Sequence, residues 1–197
     1  MRLEAQKKLG YYKTPMSVVN KVKTWLSVRD SWGNISLLDP CAGEGEAVLT
    51  IADHLRNPTV YAIELDRNRF EKVERKSKYK KYKVEAVHSP YERIKFTNDD
   101  FNLIWLNPPY DDHGGGESGT RRKEMIFLED MTPLLRTSMS GILIFIIPHK
   151  YISDHMARFL ANNYKNIRIF SFADDDGYDH FKQCVIIAEK GQSQYKV

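Results

Sequence analysis

The chain has 197 residues, of which 42% are hydrophobic and 28% charged, a composition typical of a globular protein that excludes a disordered chain. Its formal net charge of +4 permits binding to a polyanion without requiring it. No apolar run approaches the ~20 residues that span a bilayer, and the first residues carry no secretory signal, so we expect a cytoplasmic protein without a membrane partner.

The length and the cysteine spacing favour one simple domain. A single domain over residues 1–197 fits the usual size range. Cys41 and Cys184 lie far apart without a C-x-x-C spacing, which argues against a zinc site and against a disulfide scaffold. We therefore expect two reduced cysteines and no metal.

The first half of the chain is predicted to form a strand, a glycine-containing turn, a helix and a second strand. An amphipathic helix at residues 15–28, with Thr14 as its N-cap, precedes this unit. Apolar runs at residues 35–38 and 59–65 predict strands, and the spacing over residues 47–55 predicts the helix between them. Such a unit implies a right-handed crossover between parallel strands.

The second half continues the alternation of helices and strands. We predict helices at residues 67–79, 125–135 and 153–163, and strands at residues 82–87, 101–106, 141–147, 167–172 and 183–188. The elements therefore predict an α/β fold with helices on both faces of a mostly parallel sheet.

The turn after the first predicted strand is typical of a cofactor site. It reads Asp39-Pro40-Cys41-Ala42-Gly43-Glu44-Gly45-Glu46, and its glycines allow a ligand to approach the backbone closely. It lacks the Lys-Ser/Thr of a phosphate-binding loop, and Glu44 and Glu46 place negative charge where a pyrophosphate would lie. Acidic residues suit a cationic ligand such as S-adenosylmethionine, with Asp39 facing its methionine moiety.

Glu64 ends the second strand of this unit, roughly 20 residues after the glycines, where a carboxylate can accept hydrogen bonds from ribose hydroxyls. The alternative is a carboxylate at the N-terminus of the following helix. Asp66 suits that position better, because it directly precedes the helix.

Asn107-Pro108-Pro109-Tyr110 follows the buried strand predicted at residues 101–106. Ligands of open α/β sheets bind at the carboxyl ends of strands, so this tetrapeptide is a candidate catalytic site. Two prolines remove two backbone donors, and Tyr110 adds an aromatic face. A simple proline turn is the alternative. The nearby Arg121 and Arg122 are placed to meet a phosphate backbone.

These motifs together resemble the class I S-adenosylmethionine-dependent methyltransferases of the N6-adenine type, and more closely the methyltransferase-like proteins of phages and mobile elements. The resemblance covers residues 10–15 (cofactor motif), 39–46 (glycine motif), Glu64 (ribose acid), 107–110 (catalytic signature), 141–148 (the next strand) and 181–183 (a late aromatic segment). It implies a Rossmann-like, doubly wound, mostly parallel seven-stranded sheet with an antiparallel last strand.

The resemblance also implies a role for individual residues. The residues it implies for cofactor binding are Tyr12, Thr14, Pro15, Asp39, Cys41, Ala42, Gly43, Gly45, Glu64, Leu65 and Ser89. The residues it implies for catalysis are Asn107, Pro108, Pro109 and Tyr110. Those it implies for substrate binding are Tyr110, Phe181, Arg121 and Arg122. Tyr110 and Phe181 would hold a base that has left the helical stack.

The chain departs from that family in two respects. Residues 88–91 read His-Ser-Pro-Tyr, where the family has an Asp that contacts the adenine of the cofactor. No separate target-recognition domain follows the late aromatic segment, so we expect a separate specificity subunit or a missing C-terminal region.

The sequence favours methylation of adenine N6 in DNA, with RNA as a possible nucleic-acid partner. Methylation of an adenine or guanine in ribosomal RNA, or of a protein glutamine, stays open as an alternative, because the same acceptors serve any planar amine or amide nitrogen. A non-catalytic module of methyltransferase fold that acts through a partner is a third alternative.

Overall fold

The computed structural model describes residues 12–27, 33–110, 122–172 and 182–191. Its helices are α1 (Met16–Trp25), α2 (Glu46–Ala52), α3 (Arg67–Ser77), α4 (Lys123–Met131) and α5 (Asp154–Asn163). Its strands are β1 (Ile35–Asp39), β2 (Pro58–Glu64), β3 (Lys83–His88), β4 (Leu103–Leu106), β5 (Ile142–Pro148), β6 (Tyr164–Ser171) and β7 (Gln183–Lys190). None of the helices within these ranges is long and apolar enough to cross a membrane.

The strands form one seven-stranded sheet in the order β3-β2-β1-β4-β5-β7-β6. Strands β1 to β5 pair in parallel, whereas β7 lies antiparallel between β5 and β6. The predicted mostly parallel sheet with an antiparallel last strand is therefore confirmed.

The central strands are apolar on both faces because helices cover both faces. Every residue of β4 is buried, and its side chains alternate between two hydrophobic clusters. Leu103 and Trp105 belong to the cluster that includes residues of α1, α2 and α3, while Ile104 and Leu106 belong to the cluster that includes residues of α4 and α5.

The start of the first helix differs from the prediction. Helix α1 begins at Met16 with Pro15 as its N-cap residue, and no side chain caps it. Thr14 is therefore not the N-cap. Its hydroxyl instead accepts a hydrogen bond from Asn107, because the segment before α1 lies across the carboxyl end of β4.

The order of the strands creates a crevice between β1 and β4. The chain proceeds outward from β1 to β2 and β3, then returns to the other side of β1 to form β4. In a doubly wound sheet the loops on the two sides of this point turn to opposite faces and leave a ligand site. Asp39 ends β1 and Asn107 follows β4, so both lie at this point.

Candidate active site

A cavity opens at the carboxyl ends of β1 and β4 and brings three predicted motifs together. It is lined by Lys13, Thr14, Asp39, Cys41, Ala42, Glu44, Glu46, Ala47, Trp105 and Asn107. The segment before α1, the glycine turn and the residue after β4 thus share one cavity, although they are far apart in sequence.

The glycine turn has a backbone conformation that favours glycine at two positions. Gly43 and Gly45 have φ values of 57° and 76°, which side-chain-bearing residues rarely adopt. The Gly43 N–H donates to Glu64 Oε2 at 2.7 Å. A Cβ atom at Gly45 would lie 3.1 Å from a methyl of Val73. The turn is thereby held against β2 and α3.

The acidic residues of this turn are paired with lysines. Glu46 forms ion pairs with Lys13 and Lys76, and the hydrogen bond from Lys13 is the main cause that lowers the pKa of Glu46. Glu44 is paired with Lys72 of α3. The charge of Glu44 and Glu46 is thus largely compensated, and Asp39 is left as the acidic group that can attract a cation.

Asp39 is buried, with 2% of its surface exposed. Its Oδ1 accepts a hydrogen bond from the Cys41 N–H at 3.0 Å, and no ion pair joins Asp39 to any of the described residues. Burial is the main cause that raises its pKa to about 8; the hydrogen bond from the Cys41 N–H opposes this rise, and the nearby charge of Glu64 adds to it. A buried carboxyl group without a cation gains most from a cationic ligand, so the site fits the sulfonium and ammonium groups of S-adenosylmethionine.

Glu64 is also buried, and both of its carboxylate oxygens accept hydrogen bonds from the protein. Its Oε1 accepts hydrogen bonds from the Asp66 N–H at 2.8 Å and from Arg69 Nη2 at 2.8 Å, while Oε2 accepts from Gly43. Ribose hydroxyls would therefore share this carboxylate with Arg69. Asp66 caps α3 by accepting from the Arg69 N–H at 2.9 Å, in line with the alternative that assigned helix capping to Asp66.

The strand ends beside Glu64 are also adjacent to one another. The Ser89 N–H donates to the Glu64 carbonyl at 3.2 Å, and His88 Nε2 lies 3.0 Å from the carbonyl oxygen of Leu65. Leu65 is 64% exposed, so it can cover a ligand on this side. His88, within the segment where the family has an Asp, stacks on Phe70 with 5.4 Å between ring centroids.

The side chain of Asn107 is held in a defined orientation. Its Nδ2 donates to the Tyr12 carbonyl at 2.7 Å and to Thr14 Oγ1 at 3.1 Å, and its Oδ1 accepts from the Tyr110 hydroxyl at 2.6 Å. Both amide hydrogens are used, whereas Oδ1 keeps a second lone pair. Asn107 can therefore accept one more hydrogen bond.

Tyr110 lies inside the protein, with 5% of its surface exposed. Its ring stacks on Tyr12 with 5.2 Å between centroids, and its hydroxyl accepts from Gln183 Nε2 at 2.8 Å. Burial raises the pKa of this phenol well above its usual value. The predicted stacking of Tyr110 on a substrate base would need the ring to leave this place, so that role stays a prediction.

Cys41 has a thiol that is protonated. Burial raises its pKa well above the usual value, and the charges of Asp39 and Glu64 add to this effect. The thiol donates to the Asn107 carbonyl at 3.2 Å and so connects the glycine turn to the catalytic motif. Because a thiolate is the nucleophilic form, the protonated thiol is not suited to act as a nucleophile, and the contact of Cys41 with the cofactor stays a prediction.

Two of the four predicted substrate-binding residues, Tyr110 and Arg122, lie within the described residues. Phe181 and Arg121 lie outside the described residues. Arg122 places its guanidinium 3.7 Å from the centre of the Tyr151 ring, and its Nε lies 3.4 Å from Oε2 of the fully buried Glu124. Contact between Arg122 and a phosphate stays a prediction, and the adjacent carboxylate reduces the charge available for it.

Sequence reasoning missed Gln183 and Arg69 as neighbours of the site. Gln183 is 3% exposed and begins the apolar strand β7. A polar residue within an otherwise buried run was the signal available, but its partner Tyr110 is 73 positions away. Arg69 looked like one of many surface cations of a charged helix.

The fold, the cavity and the glycine turn together define a class I S-adenosylmethionine-dependent methyltransferase. The model of the Uncharacterised methyltransferase family (DUF6094) matches residues 1–196, and the chain belongs to that family. The resemblance drawn from the motifs is thus confirmed at the level of the class, and S-adenosylmethionine is supported as the cofactor.

Individual relatives agree with this class. The chain is 24% identical over 151 residues to the modification methylase CviBIII of Paramecium bursaria Chlorella virus NC1A, covering 74% of this chain and 39% of that protein. The chain therefore spans about two fifths of that methylase.

Solved structures share the fold. A protein of Listeria monocytogenes assigned to the class I S-adenosylmethionine-dependent methyltransferases aligns with a TM-score of 0.78 and 17% identity, over 95% of this chain and 63% of that one. The tRNA m1G37 methyltransferase of M. jannaschii aligns with a TM-score of 0.59 and 13% identity, over 94% of this chain and 52% of that one. At these identities the likeness concerns the fold.

Proposed function

We propose that this protein transfers a methyl group from S-adenosylmethionine to the exocyclic N6 of adenine in DNA. The observation that carries the proposal is the position of Asn107, which lines the same cavity as Asp39 and keeps a free lone pair on its side-chain oxygen. The similarity to a modification methylase supports DNA as the substrate.

The residues of the cavity are suited to orient the methyl donor. Asp39 would face the positively charged groups, the Gly43 to Gly45 turn would allow close approach of the backbone, and Glu64 would accept from the ribose. When bound, S-adenosylmethionine supplies an electrophilic methyl group on a sulfonium. The protein supplies orientation and charge compensation.

The acceptor side must make a poor nucleophile reactive. The lone pair of an exocyclic amine is delocalised into the ring, and two hydrogen-bond acceptors on its N–H groups direct that pair toward the methyl carbon. The second lone pair of Asn107 Oδ1 and the Pro108 carbonyl can take these roles. The target base would leave the helical stack to reach them.

Substitution of Asn107 by Ala tests this assignment. We expect Asn107→Ala to lower methyl transfer at least ~100-fold, a loss of about 3 kcal/mol in transition-state stabilisation. The measurement is incorporation of tritium from labelled S-adenosylmethionine into DNA, with isothermal titration to follow cofactor binding. Cofactor affinity should change by less than about tenfold, because Asn107 contributes to one side of the cavity only.

Asn98→Ala is the matched control, because Asn98 is exposed near the amino end of β4, at the opposite edge of the sheet. It should keep wild-type transfer. Wild-type activity of Asn107→Ala would contradict the proposed catalytic role.

An RNA base or a protein amide is the second candidate substrate. The acceptors around Asn107 suit any planar amine or amide, and a tRNA methyltransferase shares the fold. Parallel incorporation assays with DNA, RNA and protein fractions distinguish these substrates. If S-adenosylmethionine fails to bind in isothermal titration, the non-catalytic module becomes the better assignment.

The target base is identified by comparing methyl transfer to two DNA substrates, one with adenine and one without it. Transfer that requires adenine supports the proposed target. Because the known motifs assign no sequence recognition to this chain, we further propose that a separate subunit or chain segment selects the target site. Addition of such a subunit should change which sites are methylated and leave the Asn107 requirement intact.

A further inference from the structure

We propose that Gln183 is a positioning residue for methyl transfer, because its Nε2–H group holds the Tyr110 hydroxyl in place for the hydrogen bond that this hydroxyl donates to Asn107. The inference rests on the proposed function of Asn107. Gln183 belongs to β7, does not line the cofactor cavity, and reaches Asn107 only through Tyr110.

One backbone carbonyl determines the direction of the whole chain of hydrogen bonds. The carbonyl oxygen of Tyr12 can only accept, so the Asn107 atom 2.7 Å from it must be the nitrogen. The oxygen of the Asn107 amide then faces Tyr110 at 2.6 Å, and the Tyr110 hydroxyl must donate to it. The proton of Tyr110 is therefore committed to Asn107.

The same logic orients Gln183. The Tyr110 oxygen can only accept from β7 once its proton points to Asn107, so the Gln183 atom 2.8 Å away is the nitrogen Nε2. The opposite orientation would draw the Tyr110 proton to Gln183 and leave two acceptor oxygens facing each other across 2.6 Å. Burial of both side chains excludes water as a ready substitute.

The Tyr110 hydroxyl has an alternative acceptor close by. The Ile146 carbonyl of β5 lies 3.1 Å from the hydroxyl oxygen. Donation by Gln183 occupies one lone pair of Tyr110 and holds the oxygen where its short bond to Asn107 is favoured. Without Gln183 the hydroxyl is free to turn toward Ile146, and the Asn107 amide loses its support on that side.

The consequence concerns the remaining lone pair of Asn107 Oδ1. Hydrogen bonds to Tyr12, Thr14 and Tyr110 hold the amide plane, so the second lone pair points in one direction. A misplacement of about 1 Å lowers the rate of an oriented reaction ~100-fold. We therefore expect Gln183 to affect the rate of transfer rather than cofactor binding.

The first test removes the donor. Gln183→Leu should lower kcat by ~10-fold to ~100-fold while the KM for S-adenosylmethionine changes less than about threefold. In the Tyr110→Phe background the same substitution should cost no further activity, because the hydroxyl through which Gln183 acts is gone. Val185→Ala on the same strand is the control: it removes buried apolar atoms, lowers stability and should leave kcat unchanged.

The second test reverses the direction of the hydrogen bond between residue 183 and Tyr110 without changing the shape of the side chain. In Gln183→Glu, a protonated carboxyl group can donate to Tyr110, whereas the ionised form can only accept and draws the Tyr110 proton away from Asn107. The kcat should therefore fall as the pH rises through the pKa of the introduced carboxyl group, which burial raises. The wild-type protein should lack this transition.

The possible outcomes are distinct. Wild-type kcat in Gln183→Leu, a full additive loss in the Tyr110→Phe background, or a pH profile of Gln183→Glu like that of the wild type would each overturn the positioning role while the proposed function stands. A wild-type protein that transfers no methyl group to DNA, RNA or protein would overturn the proposed function and the positioning role together. If Gln183→Leu does not fold, the pH profile of the isosteric Gln183→Glu decides.

Discussion

Asp39 and Glu64 end neighbouring parallel strands and are both buried, yet their surroundings are opposite. Glu64 accepts hydrogen bonds from two backbone N–H groups and from the guanidinium of Arg69. Asp39 has no cation as partner among the described residues, and burial raises its pKa to about 8. From this comparison we expect removal of Glu64 to affect mainly the stability of the protein, and removal of Asp39 to affect mainly the binding of a cationic ligand.

We expect the largest loss of stability from substitution of Glu64, the carboxylate whose charge is compensated by Arg69. Glu64→Ala leaves Arg69 and the Gly43 N–H without their acceptor, so we expect a loss of about 3 kcal/mol in the free energy of unfolding. Urea denaturation followed by circular dichroism measures it. Glu71→Ala is the control, because Glu71 forms an exposed ion pair with Arg67 on the same helix and should cost less than about 0.5 kcal/mol. Equal losses in the two variants would remove the distinction drawn for Glu64.

In contrast to Glu64→Ala, Asp39→Asn should weaken cofactor binding without lowering the stability of the protein. We expect the affinity for S-adenosylmethionine to fall ~10-fold to ~100-fold, about 1.4 to 3 kcal/mol, because the ligand's positive charge loses its partner. The free energy of unfolding at neutral pH should stay the same or rise, since the substitution removes a poorly solvated acid. Isothermal titration and urea denaturation provide the two values.

Asp53→Asn is the matched control for Asp39→Asn. Asp53 binds Lys80 on the surface beyond α2, outside the cavity. The substitution Asp53→Asn should therefore leave the affinity for S-adenosylmethionine unchanged. If both variants bind S-adenosylmethionine as tightly as the wild type, Asp39 does not face the cationic groups.

The last expected effect is a pH dependence that belongs to Asp39. Its pKa is raised from 3.8 to about 8, so between these values the folded protein holds a proton that the unfolded chain releases. The contribution of Asp39 to stability is therefore complete below about pH 4 and is lost as the pH rises toward 8. A cationic ligand favours the ionised form, so cofactor affinity should rise by up to about tenfold per pH unit between pH 6 and 8.

Titrations in two buffers of different ionisation enthalpy would detect the proton that the wild type releases on binding. Asp39→Asn should retain only the proton exchange of the ligand itself. Identical proton release in the two proteins would contradict this expectation, because it would show that Asp39 does not change its protonation state when the ligand binds.

Much of the site could be predicted because it depends on local patterns. Residues 35–39, 58–64 and 103–106 form the strands whose apolar runs predicted them, and Asp39, Glu64 and Asn107 lie at their carboxyl ends. In a parallel sheet these ends share one edge, so the three polar residues were expected to be close. The pairing of Glu44 and Glu46 with lysines was not predicted, because it requires α3 and the segment before α1 to lie over the glycine turn.

The succession of elements, the glycine turn and the polar residues at the strand ends can be read from the sequence, since periodicity and turn chemistry act over a few residues. The partners of those residues depend on how distant segments pack together. Asn107 bonds to a carbonyl 95 positions away, and Tyr110 to a glutamine 73 positions away. No local pattern encodes such bonds, because buried polar groups take whichever partners the packing of distant segments provides. The tetrapeptide Asn107 to Tyr110 thus predicted a catalytic turn from sequence, and the tertiary structure makes it part of a buried hydrogen-bond network that extends to Gln183.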